Sequence, residues 1–201
     1  AYYEAQDLEP FRFLPLSFEL PPLGTRAHQG GRPLKQAAPA FCAAHARCGR
    51  GEGGAAAAHC GRNLWLLKPA KGCGGVGIVI LRELAAIEAH MRDLKQQAVQ
   101  KWVAQKYLEA PLLYRGRKFD VRLWVTVRTE DSPLGLAVWA YREGYLRTSS
   151  EPYSTDDASD LAVHLTNQCV QERPHQSPSP MPPTPSCPPV SASPTCYASL
   201  C

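Results

Sequence analysis

The sequence predicts an α+β fold, mainly antiparallel sheet with one long amphipathic helix and flanking segments without regular order. Three observations predict it. Leu84, Ile87, Met91, Leu94 and Ala98 recur at steps of three and four, which places all five on one face of a helix. Glu83, Glu88, Arg92, Asp93 and Lys95 fill the remaining positions, so the opposite face is polar. Around that helix stand short apolar or alternating runs bounded by glycine and proline, the pattern of strands. The ends of the chain differ in composition, since nine of the nineteen prolines lie at or after Pro174 among Ser and Thr.

The elements follow in order. Phe11 to Pro21 mixes aromatics with prolines, which restrict their own φ and the residue before them, so residues 1–23 are expected as an extended arm. From Gly24 to Arg62 no apolar period persists and Gly49 to Gly61 is rich in Gly and Ala, which predicts a linker or insertion. Regular order is expected over residues 63–171. Asn63 to Lys68 and Ile78 to Leu81 read as strands joined by the glycine loop Ala70 to Gly77, and Trp102 to Leu108 as a strand closed by Pro111. With Arg115 to Arg117 as a turn, Phe119 to Arg128 alternates, with Phe119, Val121, Leu123, Val125 and Val127 on one side and Lys118, Asp120 and Arg122 on the other. After a turn at Asp131 to Gly135, strands Ala137 to Arg142 and Tyr145 to Thr148 are expected to form a hairpin about Glu143-Gly144. Asp156 to Gln171 reads as part helix and part loop, and residues 172–201 as a disordered Pro/Ser-rich tail.

Composition excludes several classes of function. A net charge of +4 without a run of basic residues does not support a nucleic-acid partner, although a mildly basic surface favours an acidic protein one. No apolar run is long enough to span a bilayer. The eight cysteines cluster in irregular segments with no CxxC and no signal peptide before them, which predicts reduced intracellular thiols. Cys42, His45, Cys48, His59 and Cys60 carry zinc-ligand atoms at a spacing that matches no common finger, so no metal site is assigned.

Two features carry chemistry. A glycine loop between strands lets backbone N–H groups approach phosphates, and Lys68 at its entry adds a positive charge. It lacks the Gly-Lys-Ser/Thr ending of a P-loop and opens no helix, so a plain hairpin turn is the rival reading. Lys118, Asp120 and Arg122 put a cation, an anion and a cation on one side of a strand whose other side is apolar. With Arg147 nearby, that face reads as a ligand site rather than a solvated ladder of charges.

Lys68-Pro69, Gly74-Gly-Val-Gly-Ile78, Gln105-Lys-Tyr-Leu108, Lys118-Phe-Asp-Val-Arg122, Tyr141 to Arg147 and His164-Leu-Thr-Asn167 resemble, in order and spacing, the tubulin tyrosine ligase-like proteins. These are ATP-grasp enzymes that attach glutamate, glycine or tyrosine to protein carboxylates. The resemblance covers about residues 63–171 and implies an incomplete ATP-grasp-like domain with ATP as cofactor. It implies that Lys68 touches the nucleotide phosphates with Gly74 and Gly75 closing over them. Gln105, Lys106, Tyr107 and Leu108 would form the strand whose backbone reads the adenine edge, and Lys118, Phe119 and Asp120 would hold phosphate and ribose. Arg122 and Arg147 would face the amino acid or the reacting carboxylate as catalytic residues, and Thr166 and Asn167 would complete the pocket. The implied partners are tubulin tails or microtubules, in the cytoplasm, cytoskeleton or cilium.

The chain departs from that pattern in two places. Gly74 and Val76 stand where many members carry a basic residue, for which Lys71 substitutes in part. No Asp or Glu follows Glu172, so the late carboxylates expected to hold Mg²⁺ in the family are missing from this chain. Little or no ligase activity is therefore expected, and the alternative is a non-catalytic nucleotide- or tubulin-binding module. The donated amino acid is not fixed by the sequence.

Overall fold

Alternating large apolar residues on two strands organise the first sheet. The computed structural model describes residues 14–23, 32–52, 61–93, 101–129 and 135–172. Strand β1 (Ser17–Leu20), β2 (Trp65–Pro69), β3 (Val79–Leu81) and β4 (Trp102–Lys106) form an antiparallel sheet in the order β1-β4-β2-β3. Opposite residues in such pairs point to the same side. Trp65 and Leu67 therefore share a face with Trp102 and Ala104, and all four are almost wholly buried. The other face carries Leu64, Leu66, Lys68, Gln105 and Tyr107.

Three helices cover the tryptophan face: α1 (Leu34–Ala37), α2 (Pro39–Gly49) and α3 (Leu84–Met91). Leu34, Phe41, Ala44 and Cys48 join Leu20, Trp65, Leu67, Ile87, Met91 and Trp102 in one core. The Phe41 ring meets Trp65 edge-on at 5.1 Å, and burying it contributes about 1.5–3 kcal/mol. Within the segment expected as a linker or insertion, Gly24 to Arg62, the residues of α1 and α2 thus form helices that join the core. Ala38, Phe41, Ala44 and Cys48 make a helical stripe of mostly small residues, and Pro39 opens α2 at a position where a missing N–H costs nothing. Asn63, in a left-handed conformation at φ 51, accepts from Trp65 Nε1 at 2.9 Å and donates to the His45 carbonyl at 3.2 Å, fastening α2 to β2.

The long helix expected from Leu84 is described only as the eight residues of α3, with Ile87 and Met91 buried as the stripe required. Leu94 and Ala98 lie outside the described residues.

The second half is a bent antiparallel ribbon. Strand β5 (Leu113–Tyr114) turns through Arg115 and Gly116, both at positive φ, into β6 (Arg117–Arg122). β6 pairs with β9 (Tyr145–Thr148), while β7 (Val125–Thr129) pairs with β8 (Leu136–Ala140). Two expectations are corrected here. The single strand over Phe119 to Arg128 breaks at Leu123 and Trp124, and Glu143-Gly144 is no hairpin turn, because β8 and β9 each pair with an earlier strand. Two residues separate β6 from β7 and four separate β8 from β9, so the return side bulges. Gly144 permits the bend: a Cβ there would stand 2.7 Å from the Arg122 carbonyl oxygen. Val121, Leu123, Val125 and Val127, on the apolar side of that pattern, are each more than half exposed. Most of the turn expected at Asp131 to Gly135 lies outside the described residues. Single turns α4 (Leu161–His164) and α5 (Gln168–Gln171) follow, with the Asp160 side chain capping α4 at the Ala162 N–H, 3.0 Å away.

A buried ion pair closes the end of the first sheet. Lys106 Nζ donates to Glu109 Oε1 at 2.7 Å and to the Leu64 carbonyl at 2.7 Å, and these two side chains are 1% and 7% exposed. Glu109 also accepts from the backbone N–H groups of Arg62 at 2.6 Å and Leu64 at 2.8 Å. Burial alone would raise the Glu109 carboxyl, but these hydrogen bonds outweigh it and hold the group below its ordinary 4.5. A carboxyl with a depressed folded value contributes stability that is complete above the unfolded value and lost as pH falls through the folded one. Glu109→Ala should cost about 3–5 kcal/mol in urea unfolding at neutral pH by stranding the Lys106 charge. Most of the difference from the unaltered chain should vanish in acid below the ordinary carboxyl range, and an equal loss at both pH values would contradict the assignment.

Candidate functional site

The polar side of β6 meets the open face of the first sheet at Tyr107. Tyr107, just past the end of β4, packs with Leu64 and Ile80, and its hydroxyl lies 2.7 Å from His164 Nδ1. Lys118 Nζ donates to the same hydroxyl at 3.1 Å and sits 4.2 Å from the centre of the ring. Burial lowers the Lys118 ammonium to about 8, and burial raises the Tyr107 phenol above its ordinary range. His164 is lowered by burial, and the nearby Lys118 charge adds to that effect.

One register step along β6, Asp120 faces Arg147 of β9. Arg147 Nε donates to Asp120 Oδ1 at 2.8 Å and its Nη2 binds the second oxygen, a bidentate pair. The Arg147 hydrogen bond holds the Asp120 carboxyl low, with further help from a hydrogen bond to Thr166 and from the Arg122 charge. Arg147 is raised by the same bond. Arg122, at the end of β6, is exposed.

The glycine loop reaches this cluster through α5. Gly74 and Gly75 adopt φ of 65° and 83°, a conformation that favours glycine. A Cβ on Gly75 would lie 3.1 Å from Val170 and 3.3 Å from Asn167 Oδ1, and one on Gly74 would lie 3.3 Å from Cys169 Sγ. The residues His164 to Asn167 therefore touch three parts of the site in turn: His164 the Tyr107–Lys118 pair, Thr166 the Asp120–Arg147 pair, and Asn167 the loop. Lys68 shares the open sheet face with Tyr107, at the entry to that loop.

Other expected site residues are placed elsewhere. The Lys106 side chain is buried on the opposite face against Glu109, and its N–H is bonded to the Leu16 carbonyl at 2.7 Å. Gln105 Nε2 donates to Ser17 Oγ at 2.8 Å, which ties it to the arm. Phe119 turns away from Lys118 and meets the Tyr114 ring at 6.5 Å. Because β4 is paired on both edges, of the four residues expected to read adenine Leu108 lies furthest beyond the ladder. His164, Tyr153 and Glu109 are the contributors that sequence reasoning left without a role. His164 opens the His164-Leu-Thr-Asn167 motif, whereas Tyr153, whose hydroxyl donates to the Glu109 carbonyl at 3.0 Å, carried no local signal.

Lys68, the half-buried Lys118 and two glycines at positive φ are groups of the kind that suit the phosphates of a nucleotide. Mg²⁺ fits less well: among the described residues no three His, Cys, Asp or Glu side chains converge, and the Asp120 carboxylate is engaged by Arg147. His45, weighed as a metal ligand, instead stacks on Trp65, Cys48 lies in the core, and His59 and Cys60 lie outside the described residues. Cys42, Cys73 and Cys169 are free thiols. Among the described residues no helix is long and apolar enough to cross a membrane.

Comparison with known proteins identifies the family. A family model described as the tubulin-tyrosine ligase family matches residues 33–181, which takes in α1 and α2 as well as the site. The chain is 43% identical over 122 residues to Tubulin monoglycylase TTLL3 of Danio rerio, covering 59% of this chain and 15% of that protein. It is 40% identical over 112 residues to Tubulin glycylase 3A of Drosophila melanogaster, covering 56% and 11% respectively. To Probable tubulin polyglutamylase ttll-9 of Caenorhabditis elegans it is 41% identical over 108 residues, covering 53% and 25%. The chain thus spans a small part of the length of these relatives. With most of its residues inside the family match and its site residues joined through the His164 to Asn167 segment, the chain belongs to the tubulin-tyrosine ligase family.

Proposed function

We propose that these residues form the nucleotide-holding face of an ATP-dependent ligase that joins an amino acid to a protein carboxylate, with acidic tubulin tails as acceptor. The observation that carries the proposal is the convergence of Lys118, the Asp120–Arg147 pair and the glycine loop on the segment His164 to Asn167. Bound ATP would supply the phosphoryl group that activates a carboxylate as an acyl phosphate, from which an amine displaces phosphate. Lys68 and Lys118 would neutralise phosphate charge, and the burial of Lys118 strengthens its pull on an anion. Thr166 and Asn167 would line the pocket between loop and strand. Arg122, exposed at the end of β6, is the cation placed to meet an incoming carboxylate, while Arg147 acts by fixing Asp120. A mildly basic chain suits an acidic acceptor. The relatives include glycylases and a polyglutamylase at similar identity, so both glycine and glutamate fall within the proposal. A cytoskeletal location, including the cilium, belongs to the same proposal.

Nucleotide binding is tested by thermal unfolding with ATP and Mg²⁺. A ligand at a hundredfold excess over its Kd stabilises the native state by about 2.7 kcal/mol, which reads as a rise of several degrees in Tm. Lys118→Met should abolish most of that rise, and no rise in the unaltered chain would overturn the proposal. Incorporation of labelled glycine or glutamate into microtubules separates transfer from binding alone.

The pH dependence has a definite sign. Lys118 carries its charge below about 8 and loses it above, so ATP affinity should be level through neutral pH and fall in alkali. Lys118→Arg keeps the cation at every accessible pH and should flatten the fall. Parallel profiles for the two proteins, measured by titration calorimetry, would show that another group governs binding.

A further inference from the structure

The hydrogen bonds running from Lys118 to α4 have only one consistent direction. The Asp157 carbonyl oxygen lies 2.8 Å from His164 Nε2 and can only accept, so Nε2 carries the proton. In the neutral ring Nδ1 is then an acceptor. The Tyr107 hydroxyl, 2.7 Å from Nδ1, must donate to it. With its proton committed, the phenol oxygen presents lone pairs to Lys118 Nζ at 3.1 Å. Every link is buried or half-buried: His164 is 1% exposed and Tyr107 2%.

We infer that His164 is a positioning residue, which through Tyr107 turns a hydrogen-bond acceptor toward Lys118 and so holds that ammonium where a phosphate would meet it. Lys118 is otherwise a long side chain with several accessible rotamers, and fixing one of them removes an entropic cost from ligand binding. The cation also lies over the tyrosine ring, so hydroxyl and ring locate it together. The groups around His164 agree with a neutral ring. Lys118 opposes a second proton, whereas Asp157 and Asp160 favour it, and burial decides against it. Tyr153 closes the remaining side with its ring 6.0 Å from the imidazole. The statement that Lys118 meets a phosphate rests on the proposed function; the directed chain of hydrogen bonds does not.

Two nucleotide-free measurements test the chain itself. Long-range ¹H–¹⁵N spectra should show His164 as the Nε2–H tautomer, and Tyr107→Phe should move its Nδ1 resonance toward that of a nitrogen without a donor. Competitive acetylation with acetic anhydride, read by mass spectrometry, should show Lys118 labelled severalfold faster in Tyr107→Phe and His164→Ala. The nucleotide arm uses ATP titrations of the full chain. His164→Ala and Tyr107→Phe should weaken ATP binding about tenfold, equivalent to about 1.4 kcal/mol. His164→Asn, whose amide oxygen can take the place of Nδ1, should recover most of the affinity. His164→Gln, which keeps only a donor toward Asp157, should not. A purely structural role would instead make affinity follow stability across all four variants. An Nδ1–H tautomer, unchanged Lys118 labelling, or ATP affinity in Tyr107→Phe equal to that of the unaltered chain would each overturn the inference. Failure of the unaltered chain to bind ATP would overturn the proposed function, and the tautomer and labelling results would still decide the role of His164.

Discussion

The buried carboxylate of Glu109 is the constraint on which the placement of the site depends. It takes two backbone N–H groups from the start of β2 and the ammonium of Lys106 from the end of β4, so it joins two strands where their own pairing ends. Tyr107 lies between these anchors, and its N–H is bonded to the Leu64 carbonyl at 3.1 Å. Its phenol therefore has little freedom, and Lys118 and His164 are located relative to it. The pair is costly to bury, and it is tolerated because each charge finds several partners. Its role is to define where the chain leaves the sheet.

From that knot the alternation of the strands divides two tasks between two faces. Trp65, Leu67, Trp102 and Ala104 pack against helices and supply the apolar burial that holds the sheet together. Lys68, Gln105 and Tyr107 occupy the other face, where the bent ribbon and the last two helical turns bring polar groups. A lysine on this second face keeps part of its hydration cost unrecovered, which is why Lys118 is lowered to about 8 and why an anion would be welcome beside it. Stability and chemistry are thus separated by a single residue step along each strand.

Much of this was legible in the sequence, and the misses have physical causes. The short apolar runs of β2 and β3, the glycine loop between them and the strand ended by Pro111 announced most of the first sheet. The cation, anion and cation on β6 were plain in the sequence, whereas the pairing of Asp120 with Arg147 appears only in the register of β6 and β9. Helix α2 was missed because its stripe is built from Ala38, Ala44 and Cys48 around one phenylalanine, a weak apolar signal. The bend at Leu123 was missed because the apolar residues keep their period of two from Phe119 to Val127; Trp124, apolar at a place on the polar side, was its one local sign, and Gly144 permits the close approach that the bend needs. The resemblance implied a role for the backbone of Lys106, and only the register places its side chain on the buried face. No local pattern could have paired it with Glu109, since the partners that justify that burial come from Arg62 and Leu64, far back in the chain.

The proposed function puts nucleotide phosphates on the sheet face away from the helices, against Lys68 and Lys118. An acyl-phosphate derivative of ATP transfers its acyl group to lysines beside the bound phosphates, and mass spectrometry identifies them. The account predicts acylation of Lys118 and Lys68 that excess ATP suppresses, with Lys106 untouched in its buried pair. Labelling confined to Lys35 or Lys101, or labelling at Lys118 and Lys68 that ATP fails to suppress, would contradict it.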